Sequence, residues 1–545
     1  MNVNFKPLGL AAAVAAVTAG YSGVTSAAAT YTSAGLGDLA IVPYYTTVGD
    51  YVTGVHIINT SESTQVVKLR FRRGSDSMDA MDINLVLSPK DEWTGYVDDS
   101  SGKVVLATDD NSCTVPQAAN GDGRFEMPGL YAEGATEGYI EVIGMGQTID
   151  EDQPIALAAV HEDGVPVNCG LVASNFFRNA TGVAAPDLTK KGVIDSETTH
   201  QTCTDDIAWA SGALPLTQSC AGDALKDIAP TPVIPNDFES TDNVLKVSFF
   251  VRDGNGGLEF GGNAVNLSDF SDDAMMTNQQ KIIVGETDLY SFLFPDLDGG
   301  SPADTARGLY EDIRAELGVT AVINDWSVAS ARNVSTDWVV TLPGQYLMVD
   351  LNQYTASLLA PDEEVCLSLE AAAKYNATIP APAVPAEQCD ARDIPVLVLD
   401  SSETYDREEG FPTFTSPEDG LVISPEVDVL PPEAITVLEY EVNVLEWVAE
   451  SDSDANPVLT SQYAKTIDVT AWEAEYGWAS LSVASDSLKT QGIFNFAASV
   501  DGPVFDSVDS NVPMVGFVAW ERSFPSNPGA NYGRLIEHSY LNSAE

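Results

Sequence analysis

Three short loops carry the residue types that could hold a hard cation. Asp253-Gly254-Asn255-Gly256-Gly257 sets two side-chain oxygen donors two residues apart in a glycine-rich turn. Asp296-Leu297-Asp298-Gly299-Gly300 does the same, with Asp304 beyond it, and Asp452-Ser453-Asp454-Ala455-Asn456 alternates donors at that spacing. Calcium takes roughly six to eight oxygens, so each loop would need further ligands from elsewhere in the chain. The expected ligands are therefore Asp253, Asn255, Asp296, Asp298, Asp304, Asp452 and Asp454, with calcium as the expected ion. None of the loops follows the EF-hand pattern, and the competing reading of each is an ordinary acidic turn.

Other chemistry is sparse. The four histidines, His56, His161, His200 and His538, lack the HxH or HExxH spacing of a zinc or copper site. The mature chain has no GxSxG elbow for an esterase and no phosphate-binding Walker loop. Gly35-Leu36-Gly37 with Ala40 meets only a relaxed dinucleotide pattern and has no strand before it. His161-Glu162-Asp163 is the one dense place for acid–base residues. Paired carboxylates carry no information, because 81 Asp and Glu guarantee accidental pairs. No residue is therefore assigned a catalytic role. Trp93, Trp472, Trp478 and Trp520 could form a binding face for a polysaccharide or a hydrophobic substrate, if they are exposed in a row; the alternative is core packing.

Six cysteines, Cys113, Cys169, Cys203, Cys220, Cys366 and Cys389, form an even set without CxxC or CxxCH. Disulfides are expected rather than a redox or haem site. Sequence does not choose among the pairings; the sequential one, Cys113–Cys169, Cys203–Cys220 and Cys366–Cys389, is the working expectation.

The compartment follows from the start of the chain. Lys6, the apolar run 8–17 and Thr25-Ser26-Ala27 make a secretory signal layout over residues 1–28. The run is shorter than the ~20 residues that span a bilayer, and no transmembrane segment is expected in the mature chain. The formal charge of −56 makes nucleic acid and anionic membranes poor partners. It also suits salty surroundings, where self-repulsion is screened.

The elements that must position these residues are mostly strands. Val67, Leu69 and Phe71 alternate with Lys68, Arg70 and Arg72, the period of a half-buried strand. With Arg73 these cations form the main basic stripe, which could meet an acidic patch on another copy, or be a solvated face or an internal salt bridge. Val55–Ile58 ends in the turn chemistry of Asn59-Thr60-Ser61, and Ile83, Leu85 and Leu87 repeat the alternation up to Ser88-Pro89. A glycine-aromatic strand at 138–142 followed by a proline-led apolar strand at 154–160 is echoed at 477–481 and 513–519. One helix is predicted at about 304–317, capped by Asp304 and ended by Gly318, with Leu309, Ile313 and Leu317 on its packed face. Residues 438–447 are predicted as one strand. The fold class predicted is mainly β: antiparallel β-sandwich (Ig-like) domains with one inserted helix and long acidic loops. The expected regions are an N-terminal sandwich at 29–228, a middle β-rich region with the helix at 243–400, and a C-terminal β domain at 433–545.

Several segments together resemble a known group. They are Gly37-Asp38-Leu39-Ala40-Ile41-Val42-Pro43-Tyr44-Tyr45-Thr46, Asn59-Thr60-Ser61, Leu87-Ser88-Pro89 with Trp93, Cys113-Thr114-Val115-Pro116, Thr336-Asp337-Trp338-Val339-Val340-Thr341-Leu342-Pro343 and Asn531-Tyr532-Gly533. The mature chain is similar to a family of exported bacterial proteins described only as cell-surface or hypothetical proteins. That resemblance implies export and surface location and transfers no catalytic residue. The expectation is thus an exported, non-enzymatic surface or matrix protein, with copies of itself or other surface polymers as partners. The alternatives are a secreted binding module and, less favoured, a hydrolase using distant carboxylates.

Overall fold

The computed structural model describes residues 29–77, 79–99, 102–115, 123–126, 134–170, 172, 238–275, 282–284, 287–289, 295–299, 309–350, 366–367, 387–388, 397–410, 435–449, 458–484, 491–495, 504–507 and 512–541. The fold is mainly β, built from antiparallel sheets, and four large ones carry the architecture. Along its main path the first sheet runs Thr30–Tyr31, Val265–Ser268, Leu39–Thr46, Glu137–Thr148, Gln65–Arg73, Asp79–Leu87 and Cys113–Val115. The second runs Glu259–Asn263, Leu245–Asp253, Tyr51–Asn59, Glu92–Asp98, Val105–Ala107 and Arg124–Glu126. The third orders Ala464–Asp468, Val442–Val448, Val334–Thr341, Val515–Arg522 and Tyr532–Glu537; its first pair is parallel. The fourth orders Ile435–Leu438, Leu397–Asp406, Tyr476–Val483, Ala321–Ser327 and Ser539–Leu541.

Strand pairings run across the expected regions. Leu245–Asp253 pairs with Tyr51–Asn59 and Val265–Ser268 with Leu39–Thr46, so strands placed in a middle region complete the N-terminal sheets. Likewise Val334–Thr341 lies between Val442–Val448 and Val515–Arg522, which merges the middle and C-terminal regions.

Two cores flank the third sheet. Val339, Val444 and Phe517 on one face join the core of the first two sheets, with Ile41, Val55, Leu69 and Phe249. Trp338, Leu445 and Val518 on the other face join Val322, Trp326, Leu399 and Leu481 of the fourth. A strand buried on both faces has no polar side to offer, hence the unbroken apolar Trp338-Val339-Val340. The predicted strand at 438–447 is two strands, Ile435–Leu438 and Val442–Val448, because Asn443 closes a turn onto the Tyr440 backbone.

The proline-led strand expected at 154–160 is a helix, Pro154–Ala159. Proline at the first turn presets φ and gives up no needed N–H, and the following Ile-Ala-Leu-Ala-Ala favours helix. The internal echo therefore fails at this element. The one predicted helix is present as Tyr310–Leu317, with Tyr310, Ile313 and Leu317 buried. Leu309, not Asp304, stands at its N-cap; Asp304 lies outside the described residues. Gly318 ends it in an extended conformation that leads straight into the strand Gly318–Val319. Among the described residues no helix is long and apolar enough to cross a membrane.

Cys113 and Cys169 form the expected disulfide, across a sequence separation of 56. It ties an edge strand of the first sheet to the segment beyond the short helix. Cys203, Cys220 and Cys389 lie outside the described residues; Cys366 sits on a two-residue strand parallel to Glu387–Gln388. Changing both Cys113 and Cys169 to serine is expected to lower folding stability by about 2–4 kcal/mol, since the open chain regains loop entropy. The midpoint of urea unfolding measures this directly.

The halves meet through specific bonds. Thr341 Oγ1 donates to the Pro43 carbonyl at 2.6 Å, and the Tyr51 hydroxyl to that of Val458 at 2.5 Å. Glu137 accepts from the Tyr44 hydroxyl (2.9 Å), Ser461 Oγ (2.6 Å) and the Gln462 N–H (2.7 Å), three donors around one buried carboxylate. Toward one end of this junction Asp337, Glu446 and Glu521 of the third sheet share a face, and Glu521 approaches Asp253. Burial, with Asp253 adding repulsion, pushes Glu521 from 4.5 to about 7. Burial also holds Asp337 well above the carboxylate range, despite an N–H from Leu459 at 2.6 Å.

A carboxyl raised on folding binds more protons in the native state, so its stability contribution is complete below the unfolded pKa. It is lost as pH rises through the folded value. For Glu521 that window runs from 4.5 to about 7. Glu521→Gln is therefore expected to gain stability relative to the parent as pH rises across it, and to match the parent's pH slope at neither end of that range. Urea midpoints of both proteins at about pH 4.5 and pH 7.5 check the sign.

Candidate functional site: a cleft at the junction of the sheets

Among the described residues, the candidate metal ligands singled out by sequence do not form one cluster. Asp253 Oδ1 accepts from the Asn255 N–H at 2.9 Å, an Asx turn, and the loop is fastened by Gly254 N–H to the Asp50 carbonyl at 2.7 Å. Asp296 and Asp298 are buried; Asp296 Oδ1 accepts the Asp298 N–H at 2.8 Å, and Asp296 and Gly299 exchange backbone bonds. Asp304, Asp452 and Asp454 lie outside the described residues. Among the described residues no group of three or more His, Cys, Asp or Glu side chains is placed to hold a metal ion.

Arg73 is half-buried and pairs with Asp76, and the rest of the basic stripe is internal. Lys68, Arg70 and Arg72 are fully buried on the face opposite Val67, Leu69 and Phe71. Lys68 pairs with Asp82 (3.4 Å), Arg70 with Asp79 and Asp82, and Arg72 with Glu141 (3.0 Å) and Asp79 (3.0 Å). The turn at 295–299 closes over it, taking a bond from Arg70 Nη1 to the Pro295 carbonyl at 2.8 Å, and Tyr346 stacks under Arg72. Burial pushes Lys68 down to about 8 against the pull of Asp82, and pushes Asp82 up. Burial also works against ionised Asp79, but Arg70 and Arg72 together hold its carboxyl below its usual value. Of the readings open to the stripe, the structure takes the salt bridge; a contact with another copy through these residues is excluded by their burial.

His161 gathers partners that sequence spacing did not show. Its Nε2 bonds Asn111 Oδ1 at 2.9 Å, and Ser88 Oγ lies 3.3 Å from Nδ1. Ser88 is buried, and its hydroxyl also reaches Asp91 Oδ2 at 3.4 Å. This set fastens the Ser88–Asp91 turn beside the disulfide. Of the tryptophans, Trp93 is fully buried, Trp472 and Trp520 are half-buried, and Trp478 is exposed and stacked on Tyr405 at 4.8 Å. They do not form one exposed row.

Chemistry is instead concentrated in a cleft of about 430 Å³ where both halves and the end of helix Tyr310–Leu317 meet. Pro43 of the first sheet, Phe249 of the second and Met514, Phe517 and Leu535 from the C-terminal half give it apolar walls. Phe249 and Phe517 pack with ring centroids 5.9 Å apart. Glu316 at the helix end, Asn263 and Glu537 are exposed and edge its mouth, and Tyr31 donates its N–H to Glu316 Oε2 at 3.2 Å.

The back of the cleft is fixed by His538. Its Nε2–H donates to the Val339 carbonyl at 3.0 Å, which leaves Nδ1 to accept from Asn324 Nδ2 at 3.1 Å. Burial pushes the imidazole down to about 4, so it is neutral at ordinary pH. Gly516 lies beside it; a Cβ there would come within 1.9 Å of the same Val339 oxygen. Burial also raises the Tyr540 hydroxyl well above its usual range.

The lining residues extend from Tyr31 to Tyr540, and no spacing links them. The nearest sequence signal was His538, read there only as one scattered histidine. No protein-family model, curated protein or solved structure matches this chain.

Proposed function

We propose that this is an exported, non-catalytic β protein of the cell surface or extracellular space that binds a small ligand with an apolar body in the junction cleft. The observation that carries the reading is the cleft itself: apolar walls, a few polar groups at the mouth, and a volume within the range of small-molecule sites. Binding is favoured over turnover because the one histidine in the lining has both ring nitrogens engaged. Export is supported by the signal layout of residues 1–28 and by the Cys113–Cys169 disulfide, a bond of oxidising compartments.

The neutral fluorophore Nile red tests the reading. It is expected to bind the folded protein saturably, one per chain, with blue-shifted emission. Leu535→Trp, which fills the cleft, and Asn263→Trp, which obstructs its mouth from an exposed position, are expected to abolish the signal. Binding that survives both changes would remove the cleft from the reading.

Assembly of copies is the second reading, favoured by the two edges of the fourth sheet. Val437 on one edge strand and Leu541 on the other are exposed, and sheet edges are natural docking sites. Calcium bridging acidic loops would strengthen such contacts. Light scattering with calcium and then with a chelator tests it: large assemblies that dissociate on chelation support it, and a monomer throughout rules it out.

A further inference from the structure

We infer that the cleft selects an organic cation, an ammonium group carried on an apolar body. This rests on the cleft-binding reading and adds the charge of the ligand. Among the described residues lining the cleft there are two carboxylates, Glu316 and Glu537, and no lysine or arginine. Both carboxylates are exposed at the mouth, and among the described residues neither forms an ion pair.

The neighbouring cations are directed elsewhere. Arg534 alternates with Leu535 and Glu537 along its strand, so it points to the opposite face, where it lies 4.4 Å over the Trp520 ring. Arg314 is two residues before Glu316 on the helix, about 200° around its axis. His538 adds no positive charge, since burial keeps it neutral and both nitrogens are bonded.

The walls suit the same ligand. Phe249 and Phe517 cover the apolar body, and ring faces attract a cation that reaches them. An anion would enter against both carboxylates, and a neutral molecule would leave them without a counter-charge. The formal charge of −56 also raises the local concentration of cations around the whole molecule.

A matched set of probes separates the claims: 4-phenylbutylammonium, 4-phenylbutan-1-ol and 4-phenylbutyrate, titrated calorimetrically into the mature protein. The ammonium is expected to bind roughly tenfold more tightly than the alcohol, with the carboxylate weakest. High salt should weaken the ammonium alone. Glu316→Gln with Glu537→Gln, both at exposed positions, should bring ammonium and alcohol to equal affinity without weakening the alcohol. Equal binding of all three to the parent, lost in Asn263→Trp, would overturn the cation inference and leave the cleft reading standing. Binding of none of them, or binding indifferent to Asn263→Trp and Leu535→Trp, would overturn both.

Discussion

Arg72→Ala is expected to lower folding stability by about 3–5 kcal/mol, the range for breaking a buried ion pair from one side. Arg72 bonds Glu141 at 3.0 and 3.2 Å, the Ser77 carbonyl at 3.1 Å and the Tyr346 hydroxyl at 3.0 Å, and contacts Asp79 at 3.0 Å. Glu141 is fully buried, so removing Arg72 leaves its carboxylate stranded away from water. Arg70 stays near Glu141 at 3.9 Å, too far to replace two hydrogen bonds. Most of the loss comes from the stranded charge rather than from the pair itself. Arg72→Met combined with Glu141→Leu should therefore be more stable than Arg72→Ala alone. A double-mutant cycle read by urea unfolding measures the coupling; additive losses would show that the two residues act independently.

Trp338→Ala is expected to cost a further class of stability, again about 3–5 kcal/mol, through a cavity between the third and fourth sheets. The side chain is fully buried, 5.0 Å from the Trp447 ring and 5.2 Å from His538 by centroids. Its Nε1–H donates to the Asp325 carbonyl at 2.9 Å, so truncation also orphans that oxygen. Trp338→Phe keeps most of the volume and should lose well under half as much. Because the ring supports His538, Trp338→Ala should also weaken Nile red binding in the cleft, whereas Trp478→Ala, at an exposed position, should leave both properties unchanged. Thermal unfolding and dye titration on the same preparations check the pair.

Local pattern made much of the β structure legible. Lys68 to Arg72 alternates because a pleated strand sends successive side chains to opposite faces, and the strand is there. What the alternation does not carry is exposure. The cover over Arg70 and Arg72 comes from Pro295 and Tyr346, more than two hundred positions away, and a charged face is solvated unless something distant closes it. At 154–160 apolar content suggested a strand, but the leading proline and the alanines fit a helix better, and composition outweighed hydrophobicity there. In the aspartate loops Asp253 and Asp296 each accept a backbone N–H from two residues on, the ordinary work of an aspartate in a turn, and spacing alone does not separate that role from a ligand's. The cleft could not be read locally at all, since Pro43, Phe249, Phe517 and Leu535 become neighbours only when three sheets have closed.

The pairing of strands far apart in sequence sets an order of events during synthesis. Ser539–Leu541 pairs with Ala321–Ser327, and the Thr320 N–H donates to the Leu541 carbonyl at 2.7 Å. The fourth sheet thus lacks this edge until residues more than two hundred positions beyond Ala321–Ser327 have been made. The third sheet waits for Val515–Arg522 in the same way, and it is the layer that both cores share. Such long-range closure is slow, because loop entropy is lost before any contact compensates. Until those strands are made the nascent chain stays threadable, the condition in which a polypeptide can be passed through a narrow pore.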